Sequence, residues 1–198
     1  MNNRRGNIGG NPTKEVENGG PTARGPRIDP RVSLRVATPH DDEALRGMFS
    51  RASSETVYRR FHIPYPEVPP GMVALMLDVE HGDGEALVAV AEGKIVGHAM
   101  YARLGEGGEA EMAIVVEDAW QSRGVGRLLL SKLAQRARMR GVETFTAEVL
   151  RENRRMLGLA ATFAGTSHAV EDGVYRVRMP LRSPDSTTHT VRTHSRAA

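Results

Sequence analysis

Apolar and polar positions change rhythm several times along this chain, and each change marks an element. Val32-Ser33-Leu34-Arg35-Val36 alternates, as a half-buried strand does. Thr38-Pro39 then opens a helix, with Thr38 as N-cap, Pro39 at the first helical position, and Ala44, Leu45, Met48 and Phe49 as its inner face. A second helix starts at Ser53 and runs through Val57, Tyr58 and Phe61 until Pro64, Pro66, Pro69 and Pro70 break it. Residues 71–79 return to helical spacing with Met72, Val73, Leu75 and Met76. A continuous apolar run at 86–91, the turn Glu92-Gly93 and a second run at 94–104 read as a β-hairpin. Gly105–Gly108 turns the chain into a strand at 109–116. After a polar loop, Gly124 opens a helix that buries Leu129, Leu130, Leu133, Ala134 and Ala137 and ends at Gly141. A strand at 142–150, a helix at 152–163 and a last hairpin, 166–170 with 174–180 around Glu171-Asp172-Gly173, complete the pattern. Antiparallel hairpins flanking one β-α-β crossover predict a mixed α/β fold: a central, mostly antiparallel sheet with helices on both faces.

Composition changes this picture only at the ends. The 198 residues suit one domain. Residues 1–30 are rich in Gly, Asn, Pro and Arg and poor in large apolar side chains, so they are expected to be disordered, as are residues 182–198. The folded domain is expected over 31–181. Of the net charge of +3, residues 1–30 carry +2 and residues 181–198 another +2, which leaves −1 for 31–180. A basic face for specific nucleic-acid binding is therefore not expected on the domain. The absence of cysteine excludes disulfides, thiolate nucleophiles and cysteine-ligated zinc. No apolar run reaches the ~20 residues of a membrane helix, and the first twenty residues lack the apolar core of a secretory signal. A cytoplasmic protein without membrane contact, a monomer or homodimer, is the expectation.

The candidate chemistry lies in residues 109–140. A strand that stops at a glycine-rich turn and feeds a helix aims backbone N–H groups and the positive end of the helix dipole at one point, a cradle for an anion. Gly126 is followed by Arg127-Leu128, which excludes the G-x-x-x-x-G-K-[ST] triphosphate loop, and Leu129 stands where a dinucleotide motif needs a third glycine. What remains is Gln121-Ser122-Arg123-Gly124-Val125-Gly126 between strand and helix. Glu111, a charge within an apolar strand, is upstream, with Glu109 on the same face.

This Q-x-x-G-x-G stretch resembles the pyrophosphate motif of the GNAT N-acetyltransferase superfamily over about Val32 to Leu181. It is most similar to the Pat-type protein lysine acetyltransferase domain, with further support from Ser54-Glu55-Thr56-Val57-Tyr58-Arg59-Arg60-Phe61 and residues 147–157. The resemblance implies acetyl-CoA as cosubstrate, no metal, and a protein lysine or small-molecule amine as acceptor. It implies Glu111 as the base that takes the proton of the attacking amine. It implies main-chain pairing of the pantetheine arm at Ile114 and Val116, and cofactor contacts from Gln121, Arg123, Gly124, Val125, Gly126, Arg127 and Asn153. Each residue also has a plainer reading. The glycines could serve only a tight turn, Glu111 could pair with Arg59 or Arg60, and Asn153 could cap a helix. A CoA-binding module without turnover stays open beside the enzyme. Two departures stand out: Ala160 where many relatives carry an acid tyrosine, which leaves the general acid unassigned, and Phe163-Ala164-Gly165 in place of Leu-Gly-Phe.

Weaker candidates read as structural. His98 between Gly97 and Ala99 is expected to be a satisfied core histidine, and Glu148 a pairing residue. Met72, Met76, Met100 and Met112 are expected in the core. His81 and Asp83 make no metal site, and Ser53 and Ser54 have no triad partners.

Overall fold

A computed structural model gives the structure and describes residues 29–78, 84–171 and 173–181. The expected disorder of both tails, the His81–Asp83 loop and Asp172 of the last turn lie outside the described residues. Among the described residues seven strands and five α-helices follow the predicted order: β1 (Ser33–Val36), α1 (Asp42–Arg51), α2 (Ser54–Phe61), α3 (Pro70–Leu77), β2 (Gly84–Ala91), β3 (Lys94–Arg103), β4 (Glu109–Val116), α4 (Val125–Met139), β5 (Thr144–Leu150), α5 (Arg154–Ala161), β6 (Thr166–Glu171) and β7 (Val174–Pro180). The sheet order is β1-β2-β3-β4-β5-β7-β6. Every neighbouring pair is antiparallel except β4–β5, which the α4 crossover makes parallel.

Local chemistry sets the boundaries. Thr38 caps a short 3-10 turn, Pro39–Asp41, rather than the α-helix itself. Asp41 accepts from the Thr38 N–H at 2.8 Å and holds Arg35 with bonds of 2.7 and 2.5 Å. α1 buries Leu45, Met48 and Phe49, but Ala44, at the edge of that stripe, is exposed. α2 begins under a Ser53 cap, whose Oγ accepts from the Thr56 N–H at 3.2 Å. In α3, Val73 and Met76 point inward while Leu75 is 67% exposed, so its apolar sequence is only partly buried.

Two cores cover the sheet. One lies between α1–α3 and the β2–β4 face that carries Val88, Ile95 and Val115. The other joins α4 to the opposite face of the sheet, all but β6, through Leu129 and Leu133, Phe145 and Val149 of β5, and Val177 and Met179 of β7. Met76 and Met112 are buried and Met72 and Met100 half-buried. No helix among the described residues is long and apolar enough to cross a membrane.

Candidate active site

The parallel pair β4–β5 is short. It has three rungs, Glu109–Thr144, Ala110–Phe145 and Glu111–Thr146, after which the strands separate. The direction of the freed backbone groups follows from the bonds around them. Glu117 N–H donates to Val96 O at 2.9 Å and Leu104 N–H to Glu109 O at 3.0 Å, so odd positions of β4 bond toward β3. Even positions face the other way. Ile114 N–H and C=O and Val116 N–H therefore look into the gap with no strand partner among the described residues. The Val116 carbonyl is taken by Gln121 Nε2 at 2.9 Å.

The gap is a cleft of about 380 Å³, in the range of ligand sites. The glycine loop and α4 close one end of it. Gly124 sits at φ +81 as the cap of α4, beside Ser122 at φ +59. The first intrahelical bond is Leu128 N–H to Gly124 O at 2.9 Å, which leaves the N–H groups of Val125, Gly126 and Arg127 at the open end of the helix. A Cβ built at Gly126 meets Leu159, Ile114 and Val116 no closer than 3.7 Å. The protein's own packing thus tolerates a side chain there, and the bare backbone borders ligand space instead. Arg59, Arg60, Arg127 and Arg155 line the cleft against one carboxylate, Glu148, a balance that suits a polyanionic ligand. Among the described residues no cluster could hold a metal ion.

The expected site residues separate into those at the cleft and those beside it. Ile114, Val116, Gln121, Gly124, Gly126, Arg127 and Asn153 line it. Gln121 is also a clamp: its Nε2 donates to Thr56 Oγ1 at 3.0 Å as well as to Val116, and its Oε1 accepts from Arg155. Asn153 Oδ1 caps α5 by accepting from Met156 N–H at 3.1 Å. Val125 is buried in the core, so only its backbone is available. Arg123 is turned to the Trp120 ring, 5.2 Å from its centroid, and to Asp29 at 3.8 Å. The Arg31 hydrogen bonds hold the Asp29 carboxyl down to about 2.

Glu111 stands at the fork, on the last rung. It is exposed, not a buried charge as its place in an apolar strand suggests; the strand's other face is the apolar one. Neither arginine named as its alternative partner forms an ion pair with it. Arg59 bonds Glu55 at 2.5 Å, and Glu109 on the same face takes Arg178 at 2.5 Å. Glu148 pairs with Arg176 at 2.9 Å. His98 is fully buried with Nε2 3.2 Å from Met76 O, while Nδ1 has no partner among the described residues. Burial, helped by the Arg60 charge, lowers its pKa to about 3.

Sequence reasoning assigned no chemistry to α2, yet α2 forms one wall. Asp118 anchors it, accepting from Ser53 N–H at 2.8 Å, Ser53 Oγ at 2.8 Å and Thr56 Oγ1 at 2.9 Å. Burial works to raise the Asp118 pKa, but these bonds together keep it lowered. The adjacent arginines Arg59 and Arg60 on a short amphipathic helix were the available signal.

Residues 48–165 match the Acetyltransferase (GNAT) family. The chain is 32% identical over 126 residues to an acetyltransferase named Pat from Mycolicibacterium smegmatis, a match covering 62% of this chain and 38% of that protein. The chain thus corresponds to well under half of that relative's length. The GNAT domain of S. lividans PAT superposes with a TM-score of 0.70 at 34% identity, over 75% of this chain and 90% of that domain. A putative acetyltransferase, yncA of Salmonella typhimurium, solved with acetyl-CoA, superposes with a TM-score of 0.63 at 22% identity, over 79% and 99%.

Proposed function

The chain belongs to the GNAT acetyltransferase family, and from that premise we propose that it transfers an acetyl group from acetyl-CoA to a protein lysine, with Glu111 as the base. The observation that carries the reading is the fork: β4 and β5 part immediately after Glu111, and the free Ile114 and Val116 backbone leads from there to the α4 N-terminus. In this reading the pyrophosphate lies on the N–H groups of Val125, Gly126 and Arg127, with Arg127 adding charge. The pantetheine amides pair with Ile114 and Val116 as an added strand would. That alignment brings the thioester to the fork.

A lysine ammonium, with a pKa near ~10.4, must lose a proton before it can attack. Glu111 is exposed on the face opposite α4, so an amine arriving from that side reaches the carboxylate and the thioester carbon together. Glu111 takes the ammonium's proton, the neutral amine nitrogen then bonds the carbonyl carbon, the carbon–sulfur bond breaks, and the second proton on nitrogen leaves to water. The choice of a protein lysine is supported by the similarity to Pat proteins.

Glu111→Gln should lower kcat for a lysine peptide by about 10²-fold or more at neutral pH with little change in the KM of acetyl-CoA. Full kcat in that variant at every pH would remove Glu111 from the mechanism. Transfer by the wild type to small amines but not to lysine peptides would move the acceptor to a small molecule. CoA binding without transfer to either would make the chain a binding module.

A further inference from the structure

Among the described residues Arg60 has no carboxylate or carbonyl partner, and it is placed beside the fork. Thr56, one turn earlier on α2, is tied to Gln121 at the Val116 end of β4. Arg60 then lies at the level of the Met100–Ala113 rung, and its Nη2 donates to Met100 Sδ at 3.6 Å. A thioether is a weak acceptor. Arg60 Nε has no partner among the described residues, and the guanidinium carbon sits 4.9 Å from the Phe61 ring centroid. Burial lowers its pKa to about 10, against the opposing effect of the Glu111 charge. The other groups on this side are Arg59, which bonds Glu55, the buried neutral His98 on β3, and Glu148 on β5, paired with Arg176. Holding a partly desolvated guanidinium on one weak acceptor is costly, and methionine or leucine would fill the same space without that cost.

The missing acid gives this charge a use. Position 160 is an alanine, 2% exposed in the core, so α5 supplies no hydroxyl to a departing sulfur. We propose that Arg60 is a catalytic residue whose guanidinium faces the thioester sulfur and stabilises the thiolate as it leaves. The inference rests on the acyl-CoA reading above. When the carbon–sulfur bond breaks, its electron pair stays on sulfur beside Arg60. The ammonium's first proton goes to Glu111, the second leaves the nitrogen to water after attack, and the thiolate takes a proton from water after release. The charges balance without a protein acid, and a fixed cation in a sheltered cleft stabilises developing negative charge more than it would in water.

The test reads binding as well as rate. CoA and desulfo-CoA are titrated into the full chain by calorimetry from about pH 7 to about pH 10, and thiolate absorbance is followed for bound CoA. The expected result is a bound thiol that ionises about one pH unit below that of free CoA, so that CoA gains about tenfold in affinity over desulfo-CoA as the pH rises. Arg60→Met should erase that gain and lower kcat by about 10²-fold with the KM of acetyl-CoA nearly unchanged, and Arg60→Lys should restore part of both. A bound thiol that ionises as free CoA does in the wild type, or an unchanged shift in Arg60→Met, overturns the proposal. Should Arg60→Met not fold, Arg60→Gln carries the same reading: an unchanged shift in it overturns the proposal, because Arg59, Arg127 and Arg155 of the same cleft would then suffice. Failure of the wild type to bind either compound would instead remove the acyl-CoA reading on which the proposal stands.

Discussion

The sheet joins two unlike halves at Glu111. From β1 to β4 the central strands are covered on both faces, by α1–α3 and by α4, and β2 is buried along nearly its whole length. On β5 and β7 only the α4–α5 face is covered. The other carries Thr146, Glu148, Arg176, Arg178 and His168, of which Thr146 alone is buried, and β6 is exposed at every residue from 166 to 170. The closed half has long antiparallel registers; the open half shares the core under α4 with it, but its strands pair with β4 through three parallel rungs. Rigidity and access are thereby divided: the closed half fixes β4 and the α4 terminus, while the open half leaves one edge of β4 and one side of Glu111 free for ligands.

The division is most exposed to failure in the core. Leu129→Ala, at a fully buried position on α4, should cost about 2–5 kcal/mol in chemical denaturation. Leu159→Ala, on the half-buried face of α5, should cost clearly less. Equal losses would mean that the two halves are packed alike.

A pH titration gives the next largest effect. His98 lies in the closed half with its pKa lowered to about 3 by burial, next by the Arg60 charge, against the raising effects of the Met76 carbonyl and Asp41. The unfolded chain therefore binds this proton at higher pH than the folded one. The stability from a neutral His98 is present above about pH 6.5 and is lost as the pH falls toward about 3, at up to ~1.4 kcal/mol per pH unit, or about 2 kcal/mol by pH 5. In His98→Gln the stability curve between about pH 6 and about pH 4 should flatten by up to one proton; an unchanged slope would show that water reaches this site.

At the seam, stability and binding should move in opposite directions. Gly126→Ala adds a Cβ that the protein accommodates at ordinary contact distance, in the first turn of a helix, so stability should hold or rise by up to ~1 kcal/mol. The affinity for acetyl-CoA should fall by about tenfold or more, because the methyl group enters the space assigned to the ligand. Loss of stability with binding intact would place the cradle elsewhere.

The closed half was the more legible in sequence. Continuous apolar runs, Glu92-Gly93 and Gly141 marked its strands and turns within two residues or so, because burial on both faces leaves little choice of residue. The Q-x-x-G-x-G loop was legible because a backbone cradle needs glycine. The wall formed by α2 was not, since the roles of Thr56, Arg59 and Arg60 depend on Asp118 and Gln121, about sixty residues away. Leu75 misled because an apolar helix does not state which of its faces is covered. Glu111 stood out as a charge in an apolar strand, but its exposure follows from how far along β4 the α1–α3 cover reaches, to Val115, which no local pattern encodes.

The smallest expected effect tests the open face itself. Glu109 and Arg178 pair at 2.5 Å across that face with 41% and 45% of their side-chain surfaces exposed. Solvent on this side screens the attraction, and both long side chains lose freedom on pairing, so the net gain is small. A double-mutant cycle of Glu109→Gln and Arg178→Met should therefore return a coupling of about 0.5 kcal/mol or less, falling further in high salt. A coupling well above ~1 kcal/mol that persists in salt would mean that this face is sheltered in solution. The acceptor would then have to enter from another side, and Glu111 would lose the open approach its role as base requires.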